Sequence, residues 1–288
     1  MSNNINWGKI YESTAWGSGV TDNNISWGKS YADLAGGGGD TFDTDYQAVL
    51  DQASSLGYTA PSAAQQTLQN TLVTDLKTAG VWDKLDVFYV FATDGDSDYA
   101  TLNWKAPSSH QVTKVSSPSF LSNKGFQTNG SSSYLDTNYN PTTDAINYQM
   151  ENSGRIIYAH PDINPLSRFD GVAGTNNNRM RPANVTSHYL NGQSNFLDGS
   201  VDFTGSGFKS ITRQPFSNGF ARYTLFNNST SYSRYASNVE VIPNTNQLIA
   251  RSNTTYGTLI CGFYGLGSDF SNEYLDFKSA IDNYNSSL

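Results

Sequence analysis

The densest set of potential metal ligands in the chain is Thr93-Asp94-Gly95-Asp96-Ser97-Asp98, with three carboxylates at alternate positions. Calcium loops use such acids, but they also need a glycine at the sixth position and an acid at the twelfth, which this segment lacks. It therefore reads as a solvated turn before it reads as a cation site. The histidines His110, His160 and His188 stand far apart, and none has a second His or Cys at helix or strand spacing, so no metal and no cofactor are expected. Cys261 lies in Leu259-Ile260-Cys261-Gly262-Phe263 as a small buried hydrophobe, and as the single cysteine it can form no intrachain disulfide. Gly205-Ser206-Gly207 is too short for a nucleophile elbow and reads as a turn. A Ser-His-Asp triad is recognised by geometry and leaves no spacing to search. No catalytic residue is assigned.

Carbohydrate binding suits the residue types better. Aromatic faces cover the apolar side of a sugar, while Asn, Asp and Ser reach its hydroxyls. Two tracts offer such groups, Thr175-Asn176-Asn177-Asn178-Arg179 and Asn227-Asn228-Ser229-Thr230-Ser231-Tyr232. The candidate glycan-binding residues are Asn176, Asn177, Asn178, Arg179, Asn228 and Tyr232. Each tract also reads as a plain turn, because Asn and Ser favour turns.

Of the 288 residues 37% are hydrophobic and only 15% charged, and 18 Tyr and 15 Phe stand among abundant Gly, Ser, Thr and Asn. Helical proteins cover their surface with Lys, Glu, Arg and Gln, so this composition favours strands and turns. The formal net charge of -8 repels phosphate backbones, and no nucleic-acid partner is expected. Met1-Ser2-Asn3-Asn4-Ile5-Asn6 lacks the basic region and apolar run of a secretion signal. The most apolar run, Val87 to Ala92, is far short of the roughly 20 residues that span a bilayer. A cytoplasmically made chain without a membrane span is expected.

These residues must be positioned by a sequence that changes character twice. Asn3-Asn4-Ile5-Asn6-Trp7-Gly8-Lys9-Ile10-Tyr11 returns as Asn23-Asn24-Ile25-Ser26-Trp27-Gly28-Lys29-Ser30-Tyr31, and Gly36 to Gly39 follow. Neither copy can bury its Trp alone, so residues 1–40 read as an attachment or oligomerisation arm with a flexible tether, or else as a self-docked hairpin. The arm assignment rests on Trp7, Gly8, Tyr11, Trp27, Gly28 and Tyr31. Residues 41–100 read as a helical hairpin and a linking strand. Its helices have capping-box spacings at Thr44 to Gln47 and Ser62 to Gln65, and Gly57 and Gly80 close them. Residues 101–288 read as a β-sandwich, with short runs such as Ile156-Ile157-Tyr158, Val201-Asp202-Phe203 and Val239 to Ile242 broken by turn residues. Tyr274, Phe277, Ile281, Tyr284 and Leu288 fall at steps of three and four, predicting a closing helix capped by Asp269 or Ser271.

Two stretches carry a family resemblance. Gly125-Phe126-Gln127-Thr128-Asn129-Gly130-Ser131-Ser132-Ser133-Tyr134-Leu135-Asp136-Thr137 resembles the early strand pair of concanavalin A-like, laminin G-type lectin domains, and Phe263-Tyr264-Gly265-Leu266-Gly267 through Tyr284 resembles their final strand and closing helix. The layout from Asp45 onward is similar to virion proteins of phages that infect Bacteroidota, and the Trp-Gly repeats resemble their attachment arms. The resemblance implies an antiparallel jelly-roll preceded by an αα-hairpin, and a fibre, spike or capsid-decorating protein. Its implied partners are other virion proteins, further copies of itself and a host surface glycan. A purely structural virion protein is the alternative. A glycan-cleaving enzyme is a third reading, but sandwich hydrolases carry Glu-x-Asp-x-x-Glu, and that run does not occur here. Glu273 and Asp276 read as the solvated face of the closing helix.

Overall fold

The computed structural model of the chain describes residues 41–162, 167–173, 178–181, 190–191, 205–215, 220–237 and 241–288. The Trp-Gly repeats lie outside the described residues, as do Asn176, Asn177, His188 and the run Val201 to Phe203. Two helices come first, α1 at Thr44–Leu56 and α2 at Ala63–Thr78. Gly57 closes α1 at φ 73°, as its position predicts. The N-cap of α1 is Asp43 and not Thr44, because the Asp43 side chain accepts from Asp45 N. At α2 the Ser62 hydroxyl accepts from Gln65 N, but Gln65 does not return the bond. Ser62 N donates instead to Asp94 Oδ1, which frees the Gln65 side chain to bind Thr93, Asp94 and Asn123.

The strands follow as β1 (Leu85–Val90), β2 (Thr113–Val115), β3 (Ser119–Leu121), β4 (Gly125–Gln127), β5 (Tyr134–Asp136), β6 (Ser153–Ala159), β7 (Asp170–Val172), β8 (Gly207–Pro215), β9 (Phe220–Asn227), β10 (Thr230–Ser237), β11 (Gln247–Ile249), β12 (Arg251–Ser252), β13 (Thr255–Tyr256) and β14 (Ile260–Gly267). A last helix, α3, spans Tyr274–Ser286. The larger sheet has the order β10-β9-β8-β6-β14-β4-β3, and the smaller has the order β2-β5-β11-β7. All of these pairs are antiparallel.

Strand β14 organises the larger sheet. One edge pairs with β6, while the other pairs with β4 at Ile260 and Cys261 and then with β1 from Phe263 to Gly267. Gly125 makes this junction possible, since a Cβ there would lie 1.9 Å from the Cys261 carbonyl oxygen. Side chains alternate across β1. Val87, Tyr89 and Phe91 enter the core between the two sheets, with Leu135, Ile157, Ile211 and Ile249. Phe88, Val90 and Ala92 enter a second core beneath the helices. Both faces of the strand are therefore covered, which explains the unbroken apolar run that the sequence shows there. In the second core Phe88 is ringed by Trp82, Trp104, Phe263 and Phe277, with ring centroids 6.2 to 6.4 Å away.

Phe42–Leu288 form one compact unit, and within it the segment 42–100 joins the larger sheet through β1. Three local expectations need correction. Phe126 and Leu135 both face the core, but β4 and β5 are not a pair, because the chain between them crosses from the larger sheet to the smaller. Asp269 and Ser271 do not cap α3; they bond each other, and Glu273 stands at the cap without a side-chain bond. Val241 and Ile242 lie outside any strand, and Val241 is exposed.

Candidate functional site

A recess opens at the rim of the sandwich where β2 of the smaller sheet hands the chain to β3 of the larger one. Only Ser116, Ser117 and Pro118 make this crossing. Ser116 and Ser117 both take left-handed conformations, at φ 53° and 51°, a strained choice for residues with side chains that costs about 1–2 kcal/mol each. The recess has a volume of about 320 Å³ and is lined by Ser97, Lys114, Ser117, Pro118, Phe120 and Phe126. Its floor is rigid and aromatic. Half-buried Phe120 packs on Phe126 at 5.2 Å, and Phe126 meets Phe91 edge-on at 5.5 Å. Its wall is polar, for Lys114 Nζ donates to Ser97 Oγ at 3.0 Å and to Asp98 Oδ1 at 2.7 Å.

Asp94 and Asp98 are exposed, as a solvated turn predicts, yet each carboxylate of the acidic loop is also bonded within the fold. Asp94 accepts from Ser62 N, and Asp98 pairs with Lys114. Asp96 accepts from the backbone N–H groups of Thr59, Asp98 and Tyr99 at 2.6 to 2.9 Å. Burial raises the Asp96 pKa, but these bonds outweigh it and hold the carboxyl below its ordinary value. Among the described residues no group of three or more His, Cys, Asp or Glu is arranged to hold a metal ion.

At the end of the smaller sheet where β2 closes stands a second cluster. Val115 pairs with Tyr134, and Ile249 pairs with Leu135, so the end of β2, the start of β5 and the chain after β11 converge. Leu135 points into the core, which turns Tyr134 to the outer face. The Arg251 guanidinium lies over the Tyr134 ring at 4.5 Å and the Tyr256 ring at 5.3 Å. Gly171 allows the β12–β13 hairpin to reach this place, since a Cβ there would lie 2.3 Å from Ser252 Cβ.

Inside the sandwich Asp170 is fully buried. Tyr264 Oη donates to its Oδ2 at 2.8 Å, Met180 N donates to its Oδ1 at 2.7 Å, and Arg155 Nε lies 3.4 Å from Oδ2. Burial raises the Asp170 carboxyl above its usual range, against the pull of Arg155, Tyr264 and the Met180 N–H. Tyr148 sits in the same interior, pushed up to about 12 by burial. Tyr264 and Arg155 of the larger sheet meet Asp170 of the smaller one, while Tyr148 donates to Asn191 Oδ1, and together they make a structural interior.

Of the sequence-predicted glycan residues, the four that are described do not line the recess. Asn178 is fully buried and donates to Gln247 Oε1 at 3.2 Å, so it belongs to the interior. Arg179 is half-buried on the short segment that runs beside β7. Asn228 lies in the tight β9–β10 turn at φ 53°, where its side chain accepts from Phe208 N and donates to Ser206 O. Tyr232 belongs to β10, paired with Leu225, and packs on the core. The tract from Thr230 onward is thus a strand and not a loop. Its alternating Thr-Ser-Tyr-Ser-Arg-Tyr pattern was the available signal. Phe120, Tyr134, Arg251 and Tyr256 were missed because they come from four separate strands.

His110 Nδ1 bonds Asn138 O at 2.7 Å, and His160 Nδ1 lies 3.3 Å from Asp162 Oδ1. Glu273 pairs with Lys84 at 2.6 Å, whereas Asp276 lines a recess of about 400 Å³ between α2 and α3 that also takes in Asp75 and Asn283. Cys261 is buried, as expected, and burial pushes its thiol up. Among the described residues, no helix is long and apolar enough to cross a membrane. No protein-family model matches the chain, and no curated protein is similar to it.

Proposed function

We propose that this protein is a phage virion component, a fibre, spike or capsid decoration, whose sandwich is a concanavalin A-like jelly-roll that attaches to host-surface glycan. Its role is binding and not catalysis. The Trp-Gly repeats of residues 1–40 join it to other virion proteins and support a homo-oligomer. The observation that carries the glycan reading is the rim recess. It is of the size that small ligands occupy, with an aromatic floor for the apolar face of a sugar and Ser97, Ser117 and Lys114 at its wall for the hydroxyls. The test is binding of the labelled full chain to intact Bacteroidota cells before and after their surface polysaccharide is stripped. Polysaccharide-dependent binding is expected; equal binding to stripped cells would overturn the glycan reading.

A second reading, a structural protein that contacts neighbouring chains without glycan, draws on one observation. Ile146 and Val241 are 84% and 65% exposed, on loops joined by the Thr142 hydroxyl bonds to Ile242 O and Pro243 O. Exposed aliphatic side chains on tethered loops suit a protein contact.

A further inference from the structure

Resting on the glycan reading, we propose that the Tyr134–Arg251–Tyr256 cluster selects sugars that carry an anionic group, a carboxylate or a sulfate. Arg251 is held by two rings and by one edge. Tyr134 and Tyr256, 6.1 Å apart, flank the guanidinium at 4.5 and 5.3 Å on adjacent sides, and Nε donates to Asn253 O at 3.0 Å. Among the described residues no carboxylate pairs with Arg251. The terminal nitrogens thus keep the planar fork that matches an oxyanion in two parallel bonds.

The backbone that presents Arg251 is strained and bolted down. Ala250 is held at φ 64° and Asn253 at φ 53°. Alanine gains nothing locally from that conformation, and such strain persists only where surrounding bonds impose it. Those bonds are Ala250 N to Phe169 O at 2.7 Å, Gly257 N to Ala250 O at 2.7 Å and Asn253 N to Val172 O at 2.8 Å. Arg251 is therefore preorganised, and its ordering cost is met before a ligand arrives. The net charge of -8 repels polyanions in general, so retention of an acidic glycan needs a local cation such as this one. The cluster and the recess share the end of the smaller sheet where Val115 pairs with Tyr134.

The experiment measures affinity of the full chain for oligogalacturonate, sulfated dextran and neutral dextran, with wild type, Arg251→Gln and Arg251→Lys. The expected result is preference for one or both anionic polymers over dextran, lost by about tenfold or more in Arg251→Gln. Arg251→Lys should lose most of it too, since an ammonium has neither the stacking plane nor the fork. The oligogalacturonate and sulfated dextran arms separate carboxylate from sulfate. Neutral dextran binding as tightly as both, or acidic binding unchanged in Arg251→Gln, overturns this inference alone. Binding of none of the three, with host cells bound equally after stripping, overturns it together with the glycan reading.

Discussion

Gln69 and Arg251 are both polar side chains held by tyrosines, and they differ in where their hydrogen bonds end. The amide of Gln69 is fully buried in α2. Its Oε1 accepts from Tyr46 and Tyr99 at 2.9 and 2.7 Å, and its Nε2 donates to Thr93 and Tyr284 at 3.1 Å each. Tyr284 Oη in turn donates a hydrogen bond to Ala92 O. Every bond closes inside the protein, tying α1, α2, α3 and the acidic loop to β1. Arg251 is flanked by two tyrosine rings on a strained backbone, yet among the described residues its side chain makes one hydrogen bond to the fold, from Nε. A polar cluster that closes on itself holds structure together, whereas one preorganised with an open edge is available to a ligand.

Variants of the closed clusters should change stability most. Asp170→Asn leaves the charge of Arg155 buried beside a neutral amide and should lower unfolding free energy by about 3–5 kcal/mol, measured by urea titration. A loss under about 1 kcal/mol would show that Asp170 is not the ion that Arg155 needs. Gln69→Leu keeps the approximate volume but strips partners from Tyr46, Tyr99, Thr93 and Tyr284. The expected loss is about 2–4 kcal/mol, with glycan binding by the folded fraction unchanged. Reduced glycan binding in folded Gln69→Leu would erase the distinction between the two clusters.

A smaller effect tests the acidic loop that joins the two regions. The Asp96 carboxyl is lowered on folding, so its contribution is present above the unfolded value of 3.8 and is lost as pH falls through the folded value. Between about pH 6 and pH 3 the wild type should therefore lose more stability than Asp96→Asn. Equal losses would show that the bonds from Thr59, Asp98 and Tyr99 do not favour the ionised form.

How much of this was legible in the sequence depended on the range of the interactions. Helix ends and stripes are local, so Gly57, the Ser62 cap and the Tyr274–Tyr284 stripe could be read directly. The buried run of β1 was equally plain, because a strand covered on both faces must be apolar throughout. The Gln69 network was not legible, since a glutamine in a helix ordinarily marks the solvent face. Its partners come from positions as distant as Tyr46 and Tyr284. The candidate site was hidden for the same reason. Phe120 reaches the recess only after the chain has crossed between sheets, and Tyr134 and Arg251 meet only after the β12–β13 hairpin has folded over β7. The Asn-rich tracts that drew attention instead are locally polar, and folding uses Asn178 and Asn228 to satisfy buried backbone and side-chain groups.

The central claim is that the rim recess holds sugar on its aromatic floor. Its most direct test is the binding isotherm of full-length wild type and Phe120→Ala on polysaccharide-bearing cells, with the unfolding midpoint of each protein measured in parallel. Phe120 is half-buried and leaves Phe126 beneath it, so the midpoint should move little while affinity falls by about tenfold, or ~1.4 kcal/mol. Unchanged affinity in a folded Phe120→Ala protein would contradict the account and place the glycan, or the chain's partner, elsewhere on the molecule.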